Sequence, residues 1–129
     1  MVRALDRAFR ILDVLSEVPT VDAVTLRERT GLPKSTLYEL LASLEELGAI
    51  VRTEDNRYCL GLRLVEFGEA ARERLRIREI AAPYLHALSA KFDETIHLTV
   101  LERDEVLYVD CFESSRRFRT YSVIGVRAP

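Results

Sequence analysis

The apolar positions of this chain fall into helical spacing, then strand spacing, then helical and strand spacing again. Over residues 3–18, Leu5, Ala8, Phe9, Leu12 and Leu15 recur at i, i+3, i+4, i+7 and i+10, the period of one helical face. Pro19 ends this first helix, because the residue before a proline avoids the helical region. Two further helical patterns, residues 22–30 and 33–47, lie either side of Thr30-Gly31-Leu32-Pro33. Asp22 offers a carboxylate to the free N–H groups of the first of these. Gly31 takes the left-handed conformation at its end without cost, and Pro33 opens the next helix with a preset φ and no N–H to leave unpaired. In residues 33–47 the leucines 37, 40, 41, 44 and 47 form one stripe, predicted to be buried. Lys34, Ser35, Tyr38, Glu39 and Ala42 take the other face. Two helices joined by a short glycine-bearing turn make a helix-turn-helix unit, whose second helix suits the DNA major groove.

The period then shortens to that of strands. Residues 49–53 and 58–60 are predicted strands around the polar turn Glu54-Asp55-Asn56-Arg57. A hairpin in this position is a wing. Residues 61–91 return to helix in two parts, the first with an apolar face of Leu64, Val65, Phe67, Gly68, Ala71 and Leu75. The second carries Ile80, Ala81, Tyr84, Leu85 and Leu88, with Pro83 either tolerated in its first turns or marking a kink. Arginines 72, 74, 76 and 78 crowd the junction, and residues 74–79 read as a charged helical connector that lacks glycine and serine. From Glu94 the pattern alternates again: Ile96, Leu98 and Val100 against His97, Thr99 and Leu101. Arg103-Asp104-Glu105 is a turn, residues 106–112 the returning strand, residues 114–117 a loop and residues 118–124 a third strand. The class is α+β, with domains expected at residues 1–61 (winged helix-turn-helix), 62–78 (linker and dimerisation helix) and 79–129 (the first part of a second domain). One helix and about three strands are thin for an independent core, so an open sheet edge is expected in the last of these.

Composition narrows the function. The chain has 129 residues, 48% hydrophobic and 31% charged, the balance of a globular protein. No apolar run approaches the roughly 18 residues of a membrane span, and Arg3, Asp6, Arg7 and Arg10 interrupt any signal-peptide pattern. Cys59 and Cys111 are distant and read as reduced thiols, which points to the cytoplasm. The net charge of -2 does not itself suggest DNA binding. Through Arg78 there are 13 basic against 13 acidic residues, so contact with phosphate must come from how the arginines cluster. The near absence of lysine fits a GC-rich genome as well as it fits phosphate binding. His86 and His97 are the only histidines, too few and too scattered for a metal site. His97, in an alternating strand, reads as a core-edge or pocket side chain, and Cys111 as packing rather than a nucleophile. No glycine-rich phosphate loop and no nucleophile–base arrangement is present, so neither catalysis nor a cofactor is expected.

The candidate binding residues lie on the second helix of the unit and on its wing. Lys34, Ser35 and Thr36 stand at a helix N-terminus, where hydroxyls, an ammonium and free N–H groups suit phosphate or base edges. The bland alternative is that Ser35 and Thr36 only cap the helix. Tyr38 and Glu39 project one turn later, either into a groove or merely into solvent. Arg52 and Arg57 flank the wing turn, reaching phosphate or minor groove, or else standing as solvated hairpin charges. Arg3, Arg7 and Arg10 touch a DNA backbone or form a solvated face.

Residues 31–64, GLPKSTLYELLASLEELGAIVRTEDNRYCLGLRL, resemble the isocitrate lyase regulator (IclR) family of bacterial transcription factors. The resemblance rests on Gly31-Leu32-Pro33, Ser35-Thr36, Leu40-Leu41, Leu47-Gly48 and Tyr58-Cys59-Leu60-Gly61. Ala4-Leu5-Asp6-Arg7-Ala8 with Ile11-Leu12 is similar to the family's first helix, and Ile96-His97-Leu98 to the start of its effector domain. The resemblance implies a winged helix-turn-helix, a linker helix and a GAF-like effector-binding domain. It implies a homodimer, often paired into a tetramer, on a palindromic double-stranded operator, modulated by a small organic effector, often a carboxylate or an aromatic. Family chains are roughly twice this length, so the effector domain is expected to be only beginning at Pro129, and no effector-contacting residue is carried over. Where the family usually has arginine before its paired leucines, this chain has Glu39, which repels phosphate but suits a cytosine amino group. Dimerisation is expected through the first helix and the apolar face of residues 64–75. The competing expectation is a winged-helix module that docks a protein partner, which the acidic Glu39, Glu45 and Glu46 favour.

Overall fold

The computed structural model describes residues 1–115 and 124–129, in two compact units, Met1–Arg72 and Glu73–Pro129. The first unit runs α1 (Arg3–Glu17), α2 (Ala23–Thr30), α3 (Lys34–Glu46), β1 (Ile50–Arg52), β2 (Tyr58–Leu60) and α4 (Arg63–Glu73). The second runs α5 (Ile77–Phe92), β3 (Ile96–Glu102), β4 (Glu105–Phe112) and β5 (Arg127–Ala128).

One core holds the first unit. Leu37, Leu41 and Leu44 of α3 meet Ile11, Val14 and Leu15 of α1, Leu26 of α2, Leu32 of the turn, and Ile50 and Tyr58 of the hairpin. β1 and β2 are antiparallel, pairing Ile50 with Leu60 and Arg52 with Tyr58. Val21, just before α2, bridges to Tyr58, its N–H donating over 3.0 Å and its carbonyl accepting over 2.7 Å. α2 starts at Asp22, whose Oδ1 accepts the Thr25 N–H at 2.7 Å, and ends at Gly31 with φ 68° and ψ 15°. The turn is internally satisfied: the buried Thr30 hydroxyl donates to the Leu26 carbonyl at 2.6 Å.

Of the leucine stripe expected to be buried in α3, Leu47 is not, and apolar residues of α1 and α4 lie at the surface. In α1 the stripe of Leu5, Ala8, Phe9, Leu12 and Leu15 is split, since Leu5 and Phe9 are 58% and 63% exposed. The buried line is instead Ile11, Val14 and Leu15, with Ala8 and Leu12 packed at its edge. The helix carries two apolar faces, and Val2, Leu5 and Phe9, at i, i+3 and i+7, form the one left bare. In α3, Leu47 is 56% exposed, because the helix ends at Glu46 and the chain turns there towards Gly48. α4 buries none of its residues, and the Arg63 guanidinium lies 5.3 Å from the centre of the Phe67 ring.

In the second unit β3 and β4 form a hairpin turned at Arg103 and Asp104, both at positive φ (52° and 65°), as the twist of a two-residue connection requires. The register slips between Leu98 and Thr99, whose partners Asp110 and Tyr108 skip Val109. That bulged valine and Leu85 of α5 are the buried hydrophobics among the described residues of this unit. Ile80, Tyr84 and Leu88 of α5 are exposed. Arg78 pairs with Asp110 at 3.2 Å, joining α5 to β4. Asp93, in the left-handed conformation at the end of α5, accepts the Ser114 hydroxyl at its carbonyl (2.6 Å) and the Ser115 N–H at its carboxylate (3.0 Å). β5 pairs with β4 along Arg127 and Ala128. The third strand expected at residues 118–124 lies outside the described residues, save Ile124.

Gly61 is required by close approach: its N–H donates to the Ala49 carbonyl at 2.8 Å, and a Cβ there would stand 2.2 Å from the Gly48 carbonyl oxygen. Gly68, within α4, has open space at the same position. Gly68→Ala is therefore expected to stabilise the protein by roughly 0.5–1 kcal/mol, and Gly61→Ala to lower the thermal midpoint, as read by calorimetry. A second expectation concerns acid. The hydrogen bonds from Thr25, and then the Arg57 guanidinium, hold the Asp22 carboxyl below its ordinary pKa. A carboxyl lowered on folding contributes stability that is complete above its unfolded pKa and is lost as the pH falls through its folded pKa. Urea unfolding of wild type and Asp22→Asn across a pH series should show a constant gap at neutral pH that closes only in acid.

Candidate nucleic-acid interface

The exposed face of α3 is the outward side of the helix that the core holds from within. Leu37, Leu41 and Leu44 point in, which turns Lys34, Ser35, Tyr38, Glu39 and Ala42 out. All five are exposed, Tyr38 at 47%, while Thr36 is half-buried at the shoulder. Pro33 begins the helix with φ -59° and ψ 146°, and no side chain caps it. Ser35 and Thr36 thus do not serve as caps. The first-turn N–H groups of α3 keep their donor capacity for an acceptor from outside, with the Lys34 ammonium beside them. At the far end Glu45 and Glu46 are exposed, so the helix surface runs from basic to acidic.

A groove of about 150 Å³ between α2 and α3 is lined by Ala23, Val24, Arg27, Lys34, Leu37 and Tyr38. It brings Arg27 beside two of the candidate residues. Arg27 is exposed, and sequence reasoning passed over it. The signal was available, since Arg27 lies one helical turn before Gly31, on the stretch of α2 that must face the start of α3.

The wing places its two arginines differently. Arg52 is exposed, and its Nε donates to the Asn56 Oδ1 at 2.6 Å, a neutral acceptor, and no carboxylate pairs with it among the described residues. Arg57 is turned towards the body of the unit. Its Nε donates to the Thr20 hydroxyl at 2.9 Å and its Nη2 to the Thr20 carbonyl at 3.1 Å, while Nη1 stands 3.7 Å from the Asp22 carboxylate. On α1, Arg10 pairs with Asp6 at 2.8 Å. Burial pushes the phenol of Tyr58, at the root of the wing, above its usual pKa.

In the second unit, half-buried His97 sets its ring edge against Tyr108, with centroids 5.3 Å apart, and Cys111 is a half-buried free thiol. Among the described residues no group of three His, Cys, Asp or Glu side chains is placed to hold a metal ion, and no helix is long and apolar enough to cross a membrane.

Comparison with known proteins identifies both units. Residues 4–54 match the IclR helix-turn-helix domain, and residues 69–129 match the C-terminal domain of bacterial IclR transcriptional regulators. The HTH-type transcriptional regulator KipR of Bacillus subtilis is 33% identical over 123 residues, which cover 95% of this chain and 49% of KipR. The crystal structure of Thermotoga maritima IclR is similar with a TM-score of 0.73 and 30% identity, over 98% of this chain and 52% of that one. An IclR homologue from Microbacterium hydrocarbonoxydans, solved in complex with 4-hydroxybenzoate, matches with a TM-score of 0.81 and 26% identity over 98% of this chain and 53% of its own. The chain spans about half the length of the curated relatives it matches. Its two units, each matched to the corresponding domain, place it in the IclR family of bacterial transcriptional regulators.

Proposed function

We propose that this chain carries the DNA-reading half of a dimeric, ligand-responsive regulator that binds a palindromic operator in the cytoplasm through the recognition helix, residues 33–47, and the wing, residues 50–60. The observation that carries the reading is the start of α3: a first helical turn that no side chain caps, bearing the exposed Lys34 and Ser35 and the half-buried Thr36. Lys34, Ser35 and the open N–H groups hold phosphate, Tyr38 and Glu39 face base edges, and Arg52 extends the contact to the backbone from the wing. Glu39 favours an operator with cytosine at the position it reaches, since its carboxylate accepts from the cytosine amino group.

Two-fold pairing follows from surfaces the first unit does not use. Val2 just before α1 and Leu5 and Phe9 on it, with Leu62, Val65 and Phe67 at α4, are all more than half exposed. A second copy of the chain is the occupant that a palindrome requires. The second unit, whose family includes a relative bound to 4-hydroxybenzoate, takes a small organic effector of the aromatic or carboxylate class.

The test is selection of genomic fragments by the protein at two salt concentrations, followed by affinity measurement on the enriched site. A palindrome should emerge, with steeply salt-dependent binding. Lys34→Ala should lower the slope of log K against log salt by about 0.9, the signature of one lost phosphate contact. Tyr38→Ala should weaken operator binding by about tenfold or more, as loss of a base contact does. Operator affinity unchanged in both variants would displace the reading helix from this role. No binding to any DNA even at low salt would favour a protein-docking module. Phe9→Asp with Leu5→Asp should convert the dimer to monomer in light scattering and weaken operator binding along with it.

A further inference from the structure

We infer that Arg57 is a strut that fixes the wing against the start of α2, and that it acts on DNA only by positioning Arg52. This inference rests on the DNA-binding reading above for its effect, though not for its geometry. A hairpin of two three-residue strands is marginal by itself, so something must set its angle to the recognition helix. The Arg57 side chain and the backbone of its neighbour grip the same three residues. Its guanidinium takes the hydroxyl and carbonyl of Thr20 and approaches the carboxylate of Asp22. Between them, Val21 exchanges two backbone hydrogen bonds with Tyr58. The backbone of Arg57 also closes the wing turn, its carbonyl accepting the Thr53 N–H at 2.7 Å and its own N–H donating to the Thr53 hydroxyl at 3.1 Å.

One residue therefore links the tip of the wing, the segment before α2 and the carboxylate that caps α2. Swinging Arg57 out to a phosphate would break the fork to Thr20 and move its charge away from Asp22. Arg52 faces no such conflict, because among the described residues its side-chain partner is a neutral amide within the wing. The planar fork also explains why arginine stands here: a lysine offers a point charge and cannot span a hydroxyl and a carbonyl at the fixed spacing of Nε and Nη2.

The test has two readouts. In the free protein, Arg57→Met and Thr20→Val should each speed hydrogen exchange at the Val21 and Tyr58 amides by about tenfold while the α3 amides hold, the effect of losing hydrogen bonds to a charged group. Unchanged exchange in both variants overturns the strut whatever the DNA results. On the selected operator, Thr20→Val removes no charge, yet should lower affinity about as much as Arg57→Met. Arg52→Ala should then cost far less in the Arg57→Met background than in wild type, since the contact it removes has already been lost. Arg57→Lys should behave like Arg57→Met. Additive losses of Arg52 and Arg57, with the salt slope falling by about 0.9 for each, make Arg57 a direct phosphate contact and overturn the proposal. An equal cost of Arg52→Ala in both backgrounds confines Arg57 to stability and overturns it as well. If wild type binds no operator, the DNA reading falls, and the exchange measurement alone decides the strut.

Discussion

The inner edge of α3 is the constraint on which the first unit depends. Leu37 and Leu41 are almost wholly buried and Leu44 nearly so, and the residues they touch come from every other element of the core. α1 contributes Ile11, Val14 and Leu15, α2 contributes Leu26, and the hairpin contributes Ile50 and Tyr58. Burying one such leucine contributes about 1.5–3 kcal/mol, so the set holds together elements too short to be stable alone. α2 is only eight residues long and each wing strand only three. Packing on α3 is what gives them a fixed place, and it also fixes which face of α3 looks outward.

The turn grammar was legible in the residues before any coordinate. Asp22, Gly31 and Pro33 each have a local reason to stand where they do, and the structure has the carboxylate cap, the left-handed glycine and the proline start. The hairpin at Arg103-Asp104 was legible as a polar interruption between alternating runs. Faces were harder. α1 carries enough apolar residues for two stripes, and periodicity alone does not say which one the core will take; Leu5 and Phe9 share helical spacing with Leu12 and Leu15 yet lie outward. In α5, too, Ile80, Tyr84 and Leu88 keep helical spacing without being buried.

The candidate site divides the same way. The outward position of Lys34, Ser35, Tyr38 and Glu39 was readable because they alternate with leucines whose burial was predictable. The hydrogen bonds of Arg57 to Thr20 were not, because Thr20 lies 37 positions earlier and no spacing rule joins them. Arg52 and Arg57 look equivalent as letters flanking a turn. They differ only once the segment before α2 is known to run beside β2. The place of Arg27 beside Lys34 and Tyr38 comes from a groove between two helices, which the pattern of its own helix does not show.

The turn before α3 has a consequence for how such a protein diversifies. Thr30 satisfies its hydroxyl on the Leu26 carbonyl and offers its oxygen to the Leu32 N–H, while Leu32 fills the core. Nothing in this turn relies on the side chains at 35, 38, 39 or 42, whose outer surfaces are exposed. Mutational drift at those four positions is therefore close to neutral for folding. A lineage built on this scaffold can explore new outward surfaces one substitution at a time, without passing through unfolded intermediates.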